Sequence, residues 1–436
     1  MSLPPGTGLG EHAARRRFVT VSFLFWLPAG LALAPMVLLL TERGLTLAAV
    51  AAAYAAHSLT VAVLELPTGG LSDVIGRRKV LAGAGMLNVL ALVLIALGTA
   101  PWVIIPGMAL MGAGRALSSG PAEAWYVDTV HAHAGPDADL RTGLAHGSAA
   151  SSGAIALGVL VGGATPWLLG LGDDPGEGLR ALTSDLVLPL SVPVLLGAAV
   201  HVVFVLYVLT ALTEPPRPAA TLRGVVRSVP GAIGAGLRLG AGDTLVRRIL
   251  LSTGAVGTAL AALELLTPGR AAALTGSPES GAVLFAGLAA AGFVCSALGS
   301  RLAPLVARLA GDGERAVMAG LGAGTAGLLA LGATAGADGG VAAALAVAGY
   351  GLVYLGLGAA GPSENDLLHR RVDSGGRATA LSVQSLAQQI LGAAAGLVIG
   401  VLPLGPLPWL LGAVVLLGGT LLWTRRAPAV PVPSPE

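Results

Sequence analysis

Residues Gly69-Gly70-Leu71-Ser72-Asp73-Val74-Ile75-Gly76-Arg77-Arg78-Lys79 form a short polar stretch between two long apolar ones. Gly70 and Gly76 permit a tight turn and close approach. Asp73 can cap a helix start or pair with an arginine, and Arg77 and Arg78 can reach carboxylates on neighbouring helices. Outward from this loop, apolar stretches fall at about 18–41, 45–69, 79–99, 101–130, 142–171, 184–213, 247–272, 280–308, 314–336, 340–366, 377–402 and 405–424. Each has about the 20 residues that a helix needs to cross roughly 30 Å of hydrocarbon. Of the 436 residues, 54% are hydrophobic and 11% charged, and the mean hydropathy is +0.81. A soluble domain carries about 25% charge, so the composition calls for a bilayer. The stretches are continuous rather than alternating, which predicts helices and not an outer-membrane barrel. The 65 glycines, with the many alanines, are suited to close packing between them.

Arg15, Arg16 and Arg17 precede the first stretch, which is too long for a signal-peptide core and has no small-residue cleavage site after it. It is expected to stay as the first helix. If the N-terminus is inside, the inner segments collect 21 of the 25 Lys and Arg residues. The outer ones keep Arg43, Arg180 and Arg270, and Arg115 falls within a span. That asymmetry predicts both termini in the cytoplasm of a cell inner membrane. The outer loops are short apart from an acidic one with Asp173, Asp174, Glu177 and Asp185. The single cysteine, Cys295, excludes an intramolecular disulfide and a thiolate metal site.

The Pro- and Arg-rich connection at about 214–246 divides the chain into an N-terminal half, 1–213, and a C-terminal half, 247–436, each with six expected spans. Gly120-Pro121-Ala122-Glu123 near the inner end of span four recurs as Gly361-Pro362-Ser363-Glu364 near the inner end of span ten. Each copy is followed by a short loop and an arginine, Arg141 or Arg377, that opens the next span. A duplicated six-helix unit is the expectation, with substrate held near the midplane.

The stretch Gly70-Leu71-Ser72-Asp73-Val74-Ile75-Gly76-Arg77-Arg78-Lys79 resembles the signature loop between helices two and three of the major facilitator superfamily. The resemblance covers the full chain in length and span count. It implies an all-α integral membrane protein with twelve transmembrane helices in two pseudo-symmetric six-helix bundles. Glu65-Leu66-Pro67-Thr68-Gly69 is similar to bacterial drug-efflux members, and Arg115-Ala116-Leu117-Ser118-Ser119-Gly120 resembles the basic helix-four element of proton-coupled antiporters. The helix-five antiporter motif is matched only by Gly158, Gly162 and Gly163, without its proline, and the second signature loop, around Leu305 to Arg315, is degenerate. A monomer is the default that the resemblance implies.

Ionisable residues within spans are costly and are functional candidates. Arg115 is expected about halfway across the membrane, where a permanently charged guanidinium needs a partner. Glu65, Glu123 and Glu264 are the carboxylates available to load and release protons. Glu264 precedes Pro268 on a helix expected to line a central cavity, so it is also a candidate for substrate binding. Gln384 and Gln388 share a helical face and could line that cavity or make packing hydrogen bonds, as could Gln389 and Asn88. Trp26, beside Pro28, lies deeper than an interfacial belt needs and is a substrate candidate. His57 and His201 titrate near neutral pH, against the alternative of neutral, hydrogen-bonded histidines. The loop itself is expected to act as an inner gate made of Gly70, Asp73, Gly76, Arg77, Arg78 and Asp128. It would hold the halves together and release on inward opening; simple positive-inside anchoring is the alternative.

No nucleotide-binding, zinc-protease or nucleophile motif is present, so neither an enzyme nor a cofactor is expected, nor a nucleic-acid partner. The leading expectation is a secondary transporter that exports a small hydrophobic or amphipathic compound, a drug or secondary metabolite, in exchange for protons. A proton-linked importer of a sugar or organic solute is the alternative, and a non-transporting membrane receptor or scaffold a remote one. Export is favoured by Arg115 together with the absence of a cluster of sugar-binding polar residues.

Overall fold

The computed structural model describes residues 10–135, 137–171, 174–214, isolated positions between 231 and 240, 242–337, 339–372 and 377–424. Among these every regular element is helical, and ten helices are long and apolar enough to cross a membrane. Most of the connection 214–246 lies outside the described residues, as do Asp173, Arg425 and Arg426. The chain divides into two compact units. One is Met1–Gly231 with Glu264–Ala290 and Gly396–Val401, and the other is Ala232–Leu263 with Ala291–Ala395 and Leu402–Glu436.

The described residues up to 214, all in the first unit, form ten helices in chain order: α1 (Glu11–Leu33), α2 (Met36–Glu42), α3 (Leu47–Gly69), α4 (Leu71–Ile75), α5 (Arg77–Leu97), α6 (Pro101–Ser118), α7 (Pro121–Ala134), α8 (Arg141–Leu169), α9 (Pro175–Thr183) and α10 (Ser191–Ala211). Two expected spans are broken. The stretch 18–41 divides at Ala34–Pro35, where proline removes a backbone donor. The stretch 101–130 divides at Ser119–Gly120, because Ser119 is extended and Gly120 has φ +94°, a left-handed conformation suited to glycine. Pro121 then opens α7, where its missing N–H costs nothing. Helix α9 was not expected within the acidic loop. Asp174 caps it, with Oδ1 accepting from the Glu177 backbone N–H at 3.0 Å.

Within the first unit α1 and α8 meet backbone to backbone. A β-carbon at Gly158 would lie 2.6 Å from the Leu27 carbonyl oxygen and 2.9 Å from Gly30 Cα. Around this seam Phe18, Phe25, Trp125, Tyr126 and Phe204 form a buried aromatic core, with Phe18 stacked on Tyr126 at 5.0 Å. The first unit also takes in elements beyond residue 263. A β-carbon at Gly400 would lie 2.7 Å from Ala51 Cβ, and one at Gly163 would lie 2.6 Å from the Ala282 carbonyl oxygen. Small residues at these points let backbones meet, which is why the compact units differ from the sequence halves.

The C-terminal helices are α11 (Thr244–Thr275), α12 (Pro278–Ala310), α13 (Gly313–Ala333), α14 (Gly340–Arg371), α15 (Arg377–Val401) and α16 (Pro406–Leu421). Within the second unit α13 and α14 pack through facing glycines. A β-carbon at Gly320 would meet the Gly356 carbonyl oxygen at 2.7 Å. Asp243 ties α11 to α14: its Oδ1 accepts from Leu245 and Val246 N–H at 2.8 and 3.2 Å, and its Oδ2 accepts from Arg371 Nε. Burial opposes ionisation of Asp243, but these hydrogen bonds and the Arg371 charge hold its carboxyl below the ordinary value. Helix α6, with Arg115 in its last turn, and the 16-residue α16 occupy the fourth and twelfth expected spans.

Gly158→Val is expected to lower stability by about 1–3 kcal/mol, the usual effect of overpacking, read as a lower melting temperature in detergent. Gly153→Ala, with nothing within 4 Å of its β-carbon, serves as the neutral control. For Asp243, the stabilising contribution is present above the unfolded carboxylate value and lost as pH falls through the lower folded one. The difference in melting temperature between wild type and Asp243→Asn is therefore expected to be full at pH 7 and to shrink below about pH 4.

Candidate functional site

The signature loop folds as the five-residue helix α4, then Gly76 with φ +115°, then the first turn of α5. Only the turn at Gly76 lets Arg77 follow α4 so closely. Arg77 pairs with Asp128 of α7, lies 3.6 Å from Asp73 and donates to the Ala124 carbonyl. The Arg78 backbone N–H donates to Glu214 at 2.5 Å, and its guanidinium donates to the Leu209 carbonyl. Asp128 is thus the partner anticipated for the loop, and Asp73 is exposed. The structure differs from the expected gate in one respect: these contacts all stay inside the first unit, clasping α4 and α5 to α7 and the tail of α10. The reason is reach, since α7 presents Asp128 and the Ala124 carbonyl directly beside the first turn of α5.

Deeper in the same unit a second constellation forms around Arg115. Its guanidinium lies 4.9 Å from the ring centroid of Trp26, a distance at which a cation is attracted by the ring face. Glu65 and His57, two turns apart on α3, both interact electrostatically with Arg115. His57 also hydrogen-bonds the Met108 backbone, while its Nδ1 is buried without a partner. Gly112 lets α6 approach closely enough for this, since a β-carbon there would lie 3.1 Å from Thr60 Cβ. The structure therefore brings together Trp26, Glu65 and Arg115, from three helices. Glu123 does not join them: the break at Gly120 puts it in the first turn of α7, exposed. His201 is buried in ring contact with Phe25 and Phe204 at 5.6 and 5.9 Å. Asn88 is also buried, and packs against Gly114.

Glu264, half-buried on α11, interacts electrostatically with Tyr54 of α3 in the first unit. Gln384 and Gln388 lie in the second unit on α15 and line a pocket of about 370 Å³. Gln384 donates to Thr253 Oγ1 at 3.1 Å. The same pocket is lined by Glu364, which sequence reasoning noted only as one member of a repeat. The unbroken helix α14 turns that carboxyl inward, so it is 4% exposed where its counterpart Glu123 is exposed.

Sequence reasoning also missed a charged cluster at the end of the first unit where α3 begins. Arg180 of α9 pairs with Glu42 and lies 3.7 Å from Glu279, in the first turn of α12. Burial works against the Arg180 charge, but the hydrogen bond to Glu42 and the charges of Glu42, Glu279 and Asp185 outweigh it and raise its pKa. The neighbouring Arg43 is lowered by burial, with Glu42 partly compensating, and donates to the Asp185 and Leu186 carbonyls at 2.8 and 2.6 Å. The Asp-Pro-x-Glu run at 174–177 was the available signal for α9.

A family model for the Major Facilitator Superfamily matches residues 18–397. The chain belongs to this superfamily. Solved structures agree on the fold. The nucleoside transporter NupG has a TM-score of 0.73 at 13% identity, covering 95% of this chain and 100% of its own. A bacterial homologue of the human lysosomal transporter Spinster, inward-facing and occupied, gives 0.68 at 14% identity over 96% and 97%. A proton-dependent oligopeptide transporter gives 0.65 at 13% identity over 95% and 96%. No curated sequence relative matches. The protein is therefore a membrane-embedded transporter of the major facilitator type, and no enzyme family is indicated.

The Arg180 cluster makes a testable claim about packing. Arg180→Gln and Glu279→Gln are each expected to lower the melting temperature in detergent. In the double variant the losses should be less than additive, with a coupling of about 0.5–3 kcal/mol as is usual for residues sharing a network.

Proposed function

We propose that the protein is a proton-coupled exporter of a small hydrophobic or amphipathic compound, a drug or secondary metabolite, working by alternating access in a cell inner membrane. The observation that carries this is the Arg115 constellation. Arg115 keeps its charge and sits over the Trp26 face, within electrostatic reach of Glu65. Glu65 is the group that changes charge: ionised, it neutralises Arg115, and protonated, it releases the guanidinium and the aromatic face beside it. A proton and a substrate thereby compete for one guanidinium, which is the minimum that exchange requires.

Trp26, Glu264, Gln384 and Gln388 are the substrate-contact residues in this proposal, and Arg115, Glu65, Glu264 and Glu123 the coupling set. Glu123, exposed at the start of α7, acts at the inner surface. The inner gate is Gly70, Asp73, Gly76, Arg77, Arg78 and Asp128. Charge asymmetry supports both termini in the cytoplasm, with two six-helix halves, 1–213 and 247–436, joined by the linker 214–246. The protein acts as a monomer without a cofactor. The solved structures of similar fold are nucleoside, oligopeptide and Spinster-type transporters, and proton-linked import of a sugar or organic solute is the second reading. It is less well supported because Trp26 and Arg115 offer an aromatic face and one cation rather than a ring of polar side chains.

The test is proton movement in inside-out vesicles under an imposed acid-inside gradient, read with a pH-sensitive dye. Lipophilic compounds are expected to restore the dye signal with wild type, but not with Arg115→Ala or Glu65→Gln at equal expression. Unchanged recovery in both variants would overturn the coupling role, and no response to any compound would favour import.

A further inference from the structure

Among the described residues Glu364 is the most deeply buried carboxylate, at 4% exposure, and no described cationic side chain pairs with it. Of the described arginines on the neighbouring turns, Arg371 pairs with Asp243 and Arg248 lies 3.7 Å from Glu314. The protein donor to Glu364 is Ser252 Oγ, at 2.5 Å from Oε1. That hydroxyl has one proton and also lies 3.1 Å from the Ile249 carbonyl, so the carboxylate receives at most a share of a single neutral hydrogen bond. A buried carboxylate usually has a cation or several donors to offset its desolvation. Here the offset is missing, and the group opens onto a space rather than onto packed side chains.

That space is the pocket of about 370 Å³ in the second unit, within the range of small-molecule sites. Its polar lining includes Gln384, Gln388 and Asn365, and its apolar lining includes Val256, Leu357 and Leu381. Gln384 spends an N–H on Thr253, which leaves its carbonyl oxygen as an acceptor. Among the described residues that line the pocket there is no lysine, arginine or histidine. Acceptors, one negative charge and an aliphatic wall are complementary to one kind of ligand.

We infer that this pocket binds a monovalent organic cation with an apolar body, its charged nitrogen against Glu364 and its body against Leu357 and Leu381. The inference rests on the transporter reading and narrows its substrate class. The counterpart Glu123 has no such role, because the helix break at Gly120 exposes it. The aliphatic wall excludes small inorganic cations as preferred ligands, since they need a shell of oxygens.

The test uses purified full-length protein in lipid nanodiscs and two probes of one shape: benzyltrimethylammonium, permanently charged, and its uncharged isostere neopentylbenzene. Calorimetry or ligand-observed NMR is expected to show at least tenfold tighter binding of the cation than of the isostere. Glu364→Gln should abolish that preference at an unchanged melting temperature. Leu381→Trp, at a 41% exposed position on the pocket wall, should weaken both probes about tenfold while leaving the carboxyl intact, and it keeps the test open if Glu364→Gln does not fold. Equal binding of the cation to wild type and Glu364→Gln would overturn the assignment, as would wild type that prefers the isostere. Loss of proton exchange in Glu364→Gln with cation affinity unchanged would also overturn it and make the carboxyl a proton carrier. Because binding is measured without a gradient, it separates from the vesicle assay: cation binding in a protein that shows no exchange would sink the exporter reading and leave the pocket standing.

Discussion

A helix in hydrocarbon satisfies its own backbone hydrogen bonds and has no hydrophobic reason to prefer a neighbouring helix to lipid. What remains is contact, and contact requires that something be absent. At the α1–α8 seam the absent groups are the side chains of Gly30, Gly158 and Gly162, so that backbone meets backbone. The same holds at Gly320 and Gly356 between α13 and α14. These seams fix where every polar group in the spans can point. Arg115 reaches Trp26 because α1 is held by α8, and it reaches Glu65 because α6 lies against α3 at Gly112. The glycine content that a soluble protein would find destabilising is here the condition for holding the Arg115 charge among closely packed helices.

The sequence made much of this legible, through signals that physics makes strong. Length and continuity of apolar stretches located the spans, since only helices and closed barrels satisfy the backbone in lipid and a barrel would alternate. The order of Gly70, Asp73, Gly76 and Arg77 predicted a turn and an ion pair, and Asp128 is the partner found. What was missed depends on local backbone or on tertiary direction. The break at Ser119–Gly120 was hidden because Pro121 is tolerated in a first turn as well as in a kink. Helix α9 was hidden by reading an acidic loop for its charge and not for the cap at Asp174. The Arg180 cluster joins residues 42, 180 and 279, a separation that no local pattern reveals.

The duplicated Gly-Pro-x-Glu element shows most clearly where sequence similarity stops carrying structure. In the first copy Gly120 adopts φ +94° and a new helix begins, so Glu123 rides on an exposed first turn. In the second copy Gly361 and Pro362 continue inside α14, and Glu364 turns inward to Ser252. One proline sits at a helix start, where its lost donor is free. The other sits mid-helix, where it removes a hydrogen bond and crowds the preceding turn. The carbonyl that this frees, that of Gly358, accepts instead from Ser300 Oγ at 3.1 Å. The two carboxylates therefore began with the same neighbours in sequence and ended in different solvents. An exposed acid contributes charge. A buried acid with one shared donor stores a demand for a cation or a proton, and a transporter built from two unequal halves can place such a demand on one side only. A duplicated element thus carries opposite electrostatics in its two copies, because one proline opens a helix and the other lies inside one.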